Sequence, residues 1–184
     1  ACTGKPGMAA AEAMAEPTAS TLAIPAAHVR VCSTGVIGVP LPVDRIIAKL
    51  DILQQKLDPE ELGAAAQAIL TTDTNPKVCT ADATIDGRPV RIAGMTKGAG
   101  MIHPRMATTL GFVLTDVNIG PCLLQQLLQQ ACRYSYNRIS VDGDTSTNDT
   151  LAIMANGASG IPTIQPNSPA QDVFLDGLTQ VCQN

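Results

Sequence analysis

Val78-Cys-Thr-Ala-Asp-Ala-Thr-Ile-Asp-Gly-Arg-Pro-Val-Arg-Ile-Ala-Gly94 is the stretch whose reading decides the fold. Cys79, Ala81, Ala83 and Ile85 alternate with polar residues, the period of a strand that buries one face. Asp86-Gly87 then supplies a turn dipeptide that tolerates positive φ, and Val90 and Ile92 resume the alternation. A β-hairpin is predicted, and it aims the chain at Lys97. Beyond it, Leu110 to Leu114 reads as a buried strand ending at Thr115-Asp116.

On either side of this β segment the spacing becomes helical. Met8 to Ile24 is rich in Ala, Met, Glu and Leu, which favours a helix, and Pro17 should end or kink it near its middle. His28-Val-Arg-Val-Cys32 alternates as a strand would and leads into Ser33-Thr34-Gly35-Val-Ile-Gly38. Ile46, Leu50, Leu53 and Leu57 fall on one face of a helix. Asp58-Pro59-Glu60-Glu61 has the form of a capping box, which predicts a second helix running to about Leu70. Downstream, Leu123, Leu124, Leu127, Leu128 and Ala131 mark an amphipathic helix from Pro121 to Ala131. Val173, Phe174, Leu178 and Val181 mark another from Asp172 to Cys182, after an irregular stretch from Gly160 to Pro169.

Two polar loops interrupt these elements. Thr71-Thr-Asp-Thr-Asn-Pro76 carries hydroxyls that either bind a polar substrate or complete the hydrogen bonds of the turn itself. Asp142-Gly-Asp-Thr-Ser-Thr-Asn-Asp-Thr150 lies between a predicted strand, Ile139 to Val141, and the apolar run Leu151 to Met154. So many polar groups are costly to bury, so the loop is a candidate lining for a site. Its acidic part is superficially similar to a calcium loop, but Ser146 and Thr147 stand where a usual oxygen ligand and the glycine belong, so calcium is rejected.

Composition bounds the function. Apolar residues make up 45% of the 184 and charged residues 15%, the opposite of a disordered chain. With no Trp, two Tyr and two Phe there are few platforms on which bases could stack. The net charge of −4, with Lys and Arg scattered, argues against a phosphate-backbone partner and leaves a small-molecule substrate as the default. No apolar run approaches the roughly 20 residues of a membrane helix, and no signal-peptide order is visible, so a soluble chain is expected. Cys2, Cys32, Cys79, Cys122, Cys132 and Cys182 never form C-x-x-C, which fails the zinc and redox templates and predicts free thiols in a reducing compartment. The chain opens on Ala-Cys-Thr-Gly4 without an initiator Met and stops inside a helical pattern, so it reads as an internal fragment.

The chemistry concentrates in Lys97-Gly-Ala-Gly-Met-Ile-His-Pro-Arg-Met-Ala-Thr-Thr-Leu110, a glycine-flexed loop that runs into a hydroxyl. Thr108 is the candidate nucleophile. A threonine hydroxyl needs a nearby base, and its own α-amine serves once the preceding peptide bond is cut, which makes Ala107-Thr108 a candidate self-cleavage junction. The plainer alternative is that Thr108 opens a strand. His103 is the other base within reach in sequence, but Pro104 follows it, and neither His28 nor any carboxylate is spaced to complete a triad. Lys97 either fixes a carboxylate, supports the nucleophile electrostatically, or is an exposed loop lysine. Ser33-Thr34-Gly35 offers a hydroxyl and an unencumbered N–H, suited to an oxyanion hole or to an ordinary glycine turn.

Six segments, in a fixed order, resemble one family. They are Ala1-Cys-Thr-Gly4, Ser33-Thr-Gly-Val-Ile-Gly-Val-Pro-Leu-Pro42, Thr71-Thr-Asp-Thr74, Gly94-Met-Thr-Lys-Gly-Ala-Gly-Met-Ile-His-Pro104, Met106-Ala-Thr108 and Ser140-Val-Asp-Gly-Asp-Thr-Ser-Thr-Asn-Asp-Thr150. The chain is thereby similar to the ornithine acetyltransferases, self-cleaving enzymes of arginine biosynthesis that also make N-acetylglutamate. Thr109 stands where a methionine is more usual.

The resemblance implies a mixed α/β fold, a layered α-β-β-α sandwich of the kind shared with amino-terminal-nucleophile aminopeptidases. Residues 1–107 would belong to an α chain and 108–184 to a β chain, folded as one unit and assembled as a heterotetramer of two α and two β chains. It makes Thr108 the nucleophile after cleavage behind Ala107, with the Thr34 hydroxyl and Gly35 N–H as oxyanion donors and Thr71, Lys97 and Thr108 binding substrate. The implied reaction is ping-pong acetyl transfer from N-acetylornithine to glutamate. Metal and organic cofactor are both expected to be absent, acetyl-CoA is left open as a co-substrate, and neither nucleic acid nor membrane is expected as a partner. The implied compartment is the cytoplasm, or a mitochondrion or plastid in a eukaryote. Members are longer, and a substrate-binding Glu is expected beyond Asn184. The alternatives are a related peptidase that uses the same Thr108 on peptides and a binding or assembly module without turnover.

Overall fold

A computed structural model describes residues 2–103 and 109–184, arranged as two compact units, Ala1–Glu61 and Leu62–Asn184.

The first unit is helical. Helix α1 (Lys5–Leu22) ends at Ala23, whose left-handed backbone lets its N–H close on Ala19 and Ser20 carbonyls. Of the two effects expected of Pro17, an end or a kink, the end does not occur: the helix runs through it, forgoing the one bond that the missing N–H would have made to Ala13. Short helices α2 (Val43–Ile47) and α3 (Leu50–Gln55) pack on α1, and Gln54 Nε2 donates to the Thr21 carbonyl at 2.6 Å. Two expectations are corrected here. The single helix through Ile46 to Leu57 is broken at Ala48-Lys49, and Ile46, Leu53 and Leu57 are exposed within the described residues. His28 lies in a 3₁₀ turn (Ala26–His28), and Val29 to Cys32 joins no described sheet, since alternation without a partner strand makes no ladder.

The second unit begins with α4 (Leu62–Ala68), which starts later than the capping box suggested. Asp58 Oδ1 accepts from Glu60 N–H at 2.9 Å, closing a turn ahead of the helix. A four-stranded sheet follows in the order β1 (Lys77–Ile85), β2 (Arg88–Lys97), β3 (Leu110–Thr115), β4 (Thr150–Ala155). The first two pairings are antiparallel, with Asp86 and Gly87 at φ 50° and 74° in the predicted hairpin turn. The β3–β4 pairing is parallel, so the chain must cross over between them, and α5 (Pro121–Tyr134) lies in that crossover. Ile139 to Val141 is not a strand; Val141 spends its N–H on the Ile102 carbonyl instead.

The register assigns each face. Ala81, Ile92 and Thr115 lie side by side, as do Cys79, Gly94 and Val113, and helix α6 (Pro169–Gln183) covers this side along β1 and β2 while α5 packs on α6. Phe174 and Leu178 are wholly buried against Val90, Ile92 and Val113 in one core cluster. Gly94 is needed for this approach, because a Cβ there would stand 2.6 Å from Val181 Cγ1. The opposite face carries Met95, Phe112 and Ala152 in one row and Ala93, Leu114 and Met154 in another. A sheet apolar on both faces suits an inner layer, and the mixed α/β class expected from the sequence is the class observed. No described helix is long and apolar enough to cross a membrane.

Candidate active site

Lys97 is the last residue of β2 and shares a row with Leu110 and Thr150 on the face opposite α6. Its side chain is among the largest fully buried ones, at 2% exposure. A lysine is rarely buried without a partner. The loop after α4 supplies one: Lys97 Nζ donates to Thr71 Oγ1 at 3.2 Å. Burial pushes the Lys97 proton affinity down, Asp73 pulls it back up and Lys77 lowers it again, leaving it below the usual lysine range.

Asp73 locks this corner. Its Oδ1 accepts from Gly98 N–H at 2.8 Å and from Lys77 Nζ at 2.5 Å, and Lys77 Nζ also donates to the Gly98 carbonyl at 3.1 Å. The backbone just after Lys97 is thus gripped at both its N–H and its C=O. The Asp73 side chain is fully buried, and its Oδ2 has no hydrogen-bond partner among the described residues. Burial alone would raise its pKa, but the Lys77 bond, the Gly98 N–H and the charges of Lys77 and Lys97 together outweigh it and hold the carboxyl below its ordinary value.

The second polar loop meets the same segment further along. Asp142 accepts from Met101 N–H at 2.5 Å and Ile102 N–H at 2.9 Å, and these bonds outweigh desolvation and lower its pKa. Asp149 Oδ1 accepts from Thr109 N–H at 3.1 Å.

Of the residues singled out from sequence, Thr71 and Lys97 are brought together. Thr34 and Gly35 belong to the first unit, where Thr34 is half-buried and Gly35 has φ 152° with nothing among the described residues within 4 Å of a would-be Cβ. Ala107 and Thr108 lie outside the described residues. Asp73 was not singled out; the available signal was an acid two residues past Thr71 in a loop that already carried substrate-type hydroxyls. The individual roles of Asp142 and Asp149 were also hidden within an acid-rich loop. A cavity of about 560 Å³ between α5 and β4, lined in part by Cys132, Arg133, Asp149 and Leu151, adjoins the far end of that loop.

Residues 1–184 match the sequence model described as the ArgJ family. The chain belongs to the ArgJ family. It is 49% identical over 181 residues to the arginine biosynthesis bifunctional protein ArgJ of Symbiobacterium thermophilum, covering 98% of this chain and 45% of that protein. It is 51% identical over 158 residues to the protein of the same name from Chlorobium chlorochromatii, covering 86% of this chain and 37% of that protein. The chain thus spans less than half the length of these ArgJ relatives. Among solved structures, the crystal structure of arginine biosynthesis bifunctional protein ArgJ from Bacillus halodurans is similar, with a TM-score of 0.51 and 43% identity over 58% of this chain and 56% of that one.

Proposed function

We propose that the protein carrying this chain is a self-processing acetyltransferase of arginine biosynthesis, which moves an acetyl group from N-acetylornithine to glutamate through an ester on Thr108. Family membership along the whole chain supports the pathway. The observation that carries the site is the buried Lys97 Nζ, bonded to Thr71 Oγ1 at 3.2 Å, since a desolvated ammonium held by a hydroxyl is a ready binder of a substrate carboxylate.

In this reading maturation comes first. The Thr108 hydroxyl adds to the Ala107 carbonyl carbon, the Ala107–Thr108 C–N bond breaks, and the hydroxyl proton ends on the new amine. Water then hydrolyses the ester, leaving an Ala107 carboxylate and a free Thr108 with hydroxyl and amine. That amine is the base for turnover. It takes the hydroxyl proton as Oγ attacks the acetyl carbon of N-acetylornithine; the amide C–N bond breaks and the departing ornithine nitrogen receives a proton. Glutamate's amine then attacks the acetyl ester, giving N-acetylglutamate and restoring Thr108. Thr34 Oγ1 and Gly35 N–H are the oxyanion donors, while Thr71 and Lys97 hold substrate.

Residues 1–107 form the α part and 108–184 the β part. Strands β2 and β3 lie on either side of the junction and pair with each other, so the sheet would hold the two parts together after the cut. Assembly as two α and two β chains, a cytoplasmic location and use of acetyl-CoA as a second donor belong to the same proposal. Intact mass of wild-type protein and of Thr108→Ala tests it: two pieces divided at Ala107-Thr108 in the first and one whole chain in the second are expected, with ornithine released on adding N-acetylornithine and glutamate. Wild-type protein that stays whole overturns the reading; release of amino acids from short peptides instead of ornithine assigns a peptidase.

A further inference from the structure

The described residues on both sides of 104–108 are tied to one loop by matched bonds. On the near side, Asp142 uses both carboxylate oxygens, Oδ2 for Met101 N–H at 2.5 Å and Oδ1 for Ile102 N–H at 2.9 Å. The Ile102 carbonyl accepts from Val141 N–H at 2.9 Å. On the far side, Asp149 Oδ1 accepts from Thr109 N–H at 3.1 Å, and the Thr109 carbonyl accepts from Thr150 N–H at 2.8 Å. Ile102 and Thr109 therefore each have N–H and C=O engaged by the same loop, through one aspartate side chain and the backbone next to it.

Local conformation shows that the near-side grip carries a cost. Met101 has φ 56°, a left-handed backbone that a side-chain-bearing residue adopts only when its surroundings over-determine it. A Cβ on Gly100 would stand 3.3 Å from Asp142 Oδ2, so a glycine lets the carboxylate come close enough to reach the next two N–H groups. Both aspartates accept from backbone N–H, the role of a group that holds geometry.

We infer that Asp142 and Asp149 are positioning residues for self-cleavage, which speed it by fixing Ile102 and Thr109, the described residues on either side of the junction. The inference rests on the self-processing reading above. An attack of a hydroxyl on the carbonyl of the preceding residue is intramolecular, and its rate depends on how little conformational freedom remains to be lost at the moment of attack. Anchoring Ile102 and Thr109 to one loop lowers the freedom that remains to be lost in that attack.

The test follows the rate at which newly made protein, carrying this chain in full, converts to two pieces by intact mass. Asp142→Ala, Asp142→Asn and Asp149→Ala are expected to slow cleavage by about 10- to 100-fold, the range that misplacement of reacting groups costs. Asp149→Asn is expected to cleave near the wild-type rate, because its amide oxygen can accept the Thr109 N–H, the one bond Asp149 makes among the described residues, whereas Asn at 142 has one accepting oxygen for the N–H groups of both Met101 and Ile102. Asp144→Ala, in the same loop and donating only its backbone N–H to Asp142, is the control expected to behave as wild type. Thermal unfolding of each variant, made also with Thr108→Ala so that every chain is whole, separates positioning from loss of fold, since general destabilisation would not restore Asp149→Asn while leaving Asp142→Asn slow. If all variants split at the wild-type rate while Thr108→Ala stays whole, the inference fails and the self-processing reading stands. If Asp149→Asn is as slow as Asp149→Ala, hydrogen-bond acceptance is not the cause and the inference fails. If wild type itself stays whole, both fall.

Discussion

Lys97 Nζ and Thr71 Oγ1, 26 residues apart in the chain, lie 3.2 Å from each other where β2 ends and the loop after α4 passes over it. The lysine is 2% exposed, so this hydroxyl replaces part of the water that the ammonium gave up. Thr71→Val keeps the shape and removes the acceptor. It is expected to cost about 1–3 kcal/mol of stability, the penalty of an unsatisfied buried donor, and to raise the KM for N-acetylornithine, the substrate proposed above; denaturant unfolding and steady-state kinetics check the two effects separately.

Lys97→Met should separate stability from function in the opposite way. Lys97 Nζ is a desolvated ammonium whose printed hydrogen-bond partner is a neutral hydroxyl, so its removal relieves a desolvation cost, whereas a substrate carboxylate would lose its cation. Unfolding midpoints at or above wild type together with a fall of about 100-fold or more in kcat/KM are expected, the latter matching the 2–5 kcal/mol that truncating one partner of a buried charge pair costs. Undiminished kcat/KM would remove Lys97 from the site.

Asp73 makes the second unit acid-sensitive. Its folded-state pKa is depressed below the ordinary value of 3.8, so the unfolded chain binds the proton more tightly. The stabilisation is fully present above that value and is lost as the pH falls through the lower, folded-state pKa. Wild-type stability should therefore drop as the pH is lowered below about 4, and Asp73→Asn, weaker near neutral pH for want of the Lys77 ion pair, should show a shallower drop and approach the wild type in acid. Urea titrations at a series of pH values measure both slopes; equal slopes would mean that Asp73 is not the group responsible.

Gly94→Ala tests the packing that puts the site on the opposite face of the sheet. The new Cβ would come within 2.6 Å of Val181 Cγ1, so α6 must lift from β2 or Val181 must turn away. A loss of about 1–3 kcal/mol is expected, in the range of overpacked cores, read from the denaturant midpoint.

The hairpin and its surroundings were legible in the sequence because their determinants are local. Period-two alternation and Asp86-Gly87 specify β1, β2 and the turn between them, and the leucines of α5 and the Phe174–Leu178 face of α6 specify which side packs. The same alternation misled at His28 to Cys32 and at Ile139 to Val141. A strand is a pairing, and pairing depends on what the rest of the chain brings alongside. Nor does Pro17 end its helix, because one missing N–H is a cost that a helix of 18 residues absorbs.

What the sequence by itself determined is the set of parts: the family's six segments, the hydroxyls at Thr34, Thr71 and Thr108, and the lysine that ends β2. Only the tertiary structure decided how the described parts meet. Burial of Lys97 is a property of the sheet face it shares with Leu110, and its partner Thr71 comes from another element altogether. The same holds for Asp73 on Gly98 and for Asp142 and Asp149 on Ile102 and Thr109. Hydrogen bonds between residues 25 to 40 positions apart leave no local pattern, because they follow from the sheet's register and the packing of the chain around it.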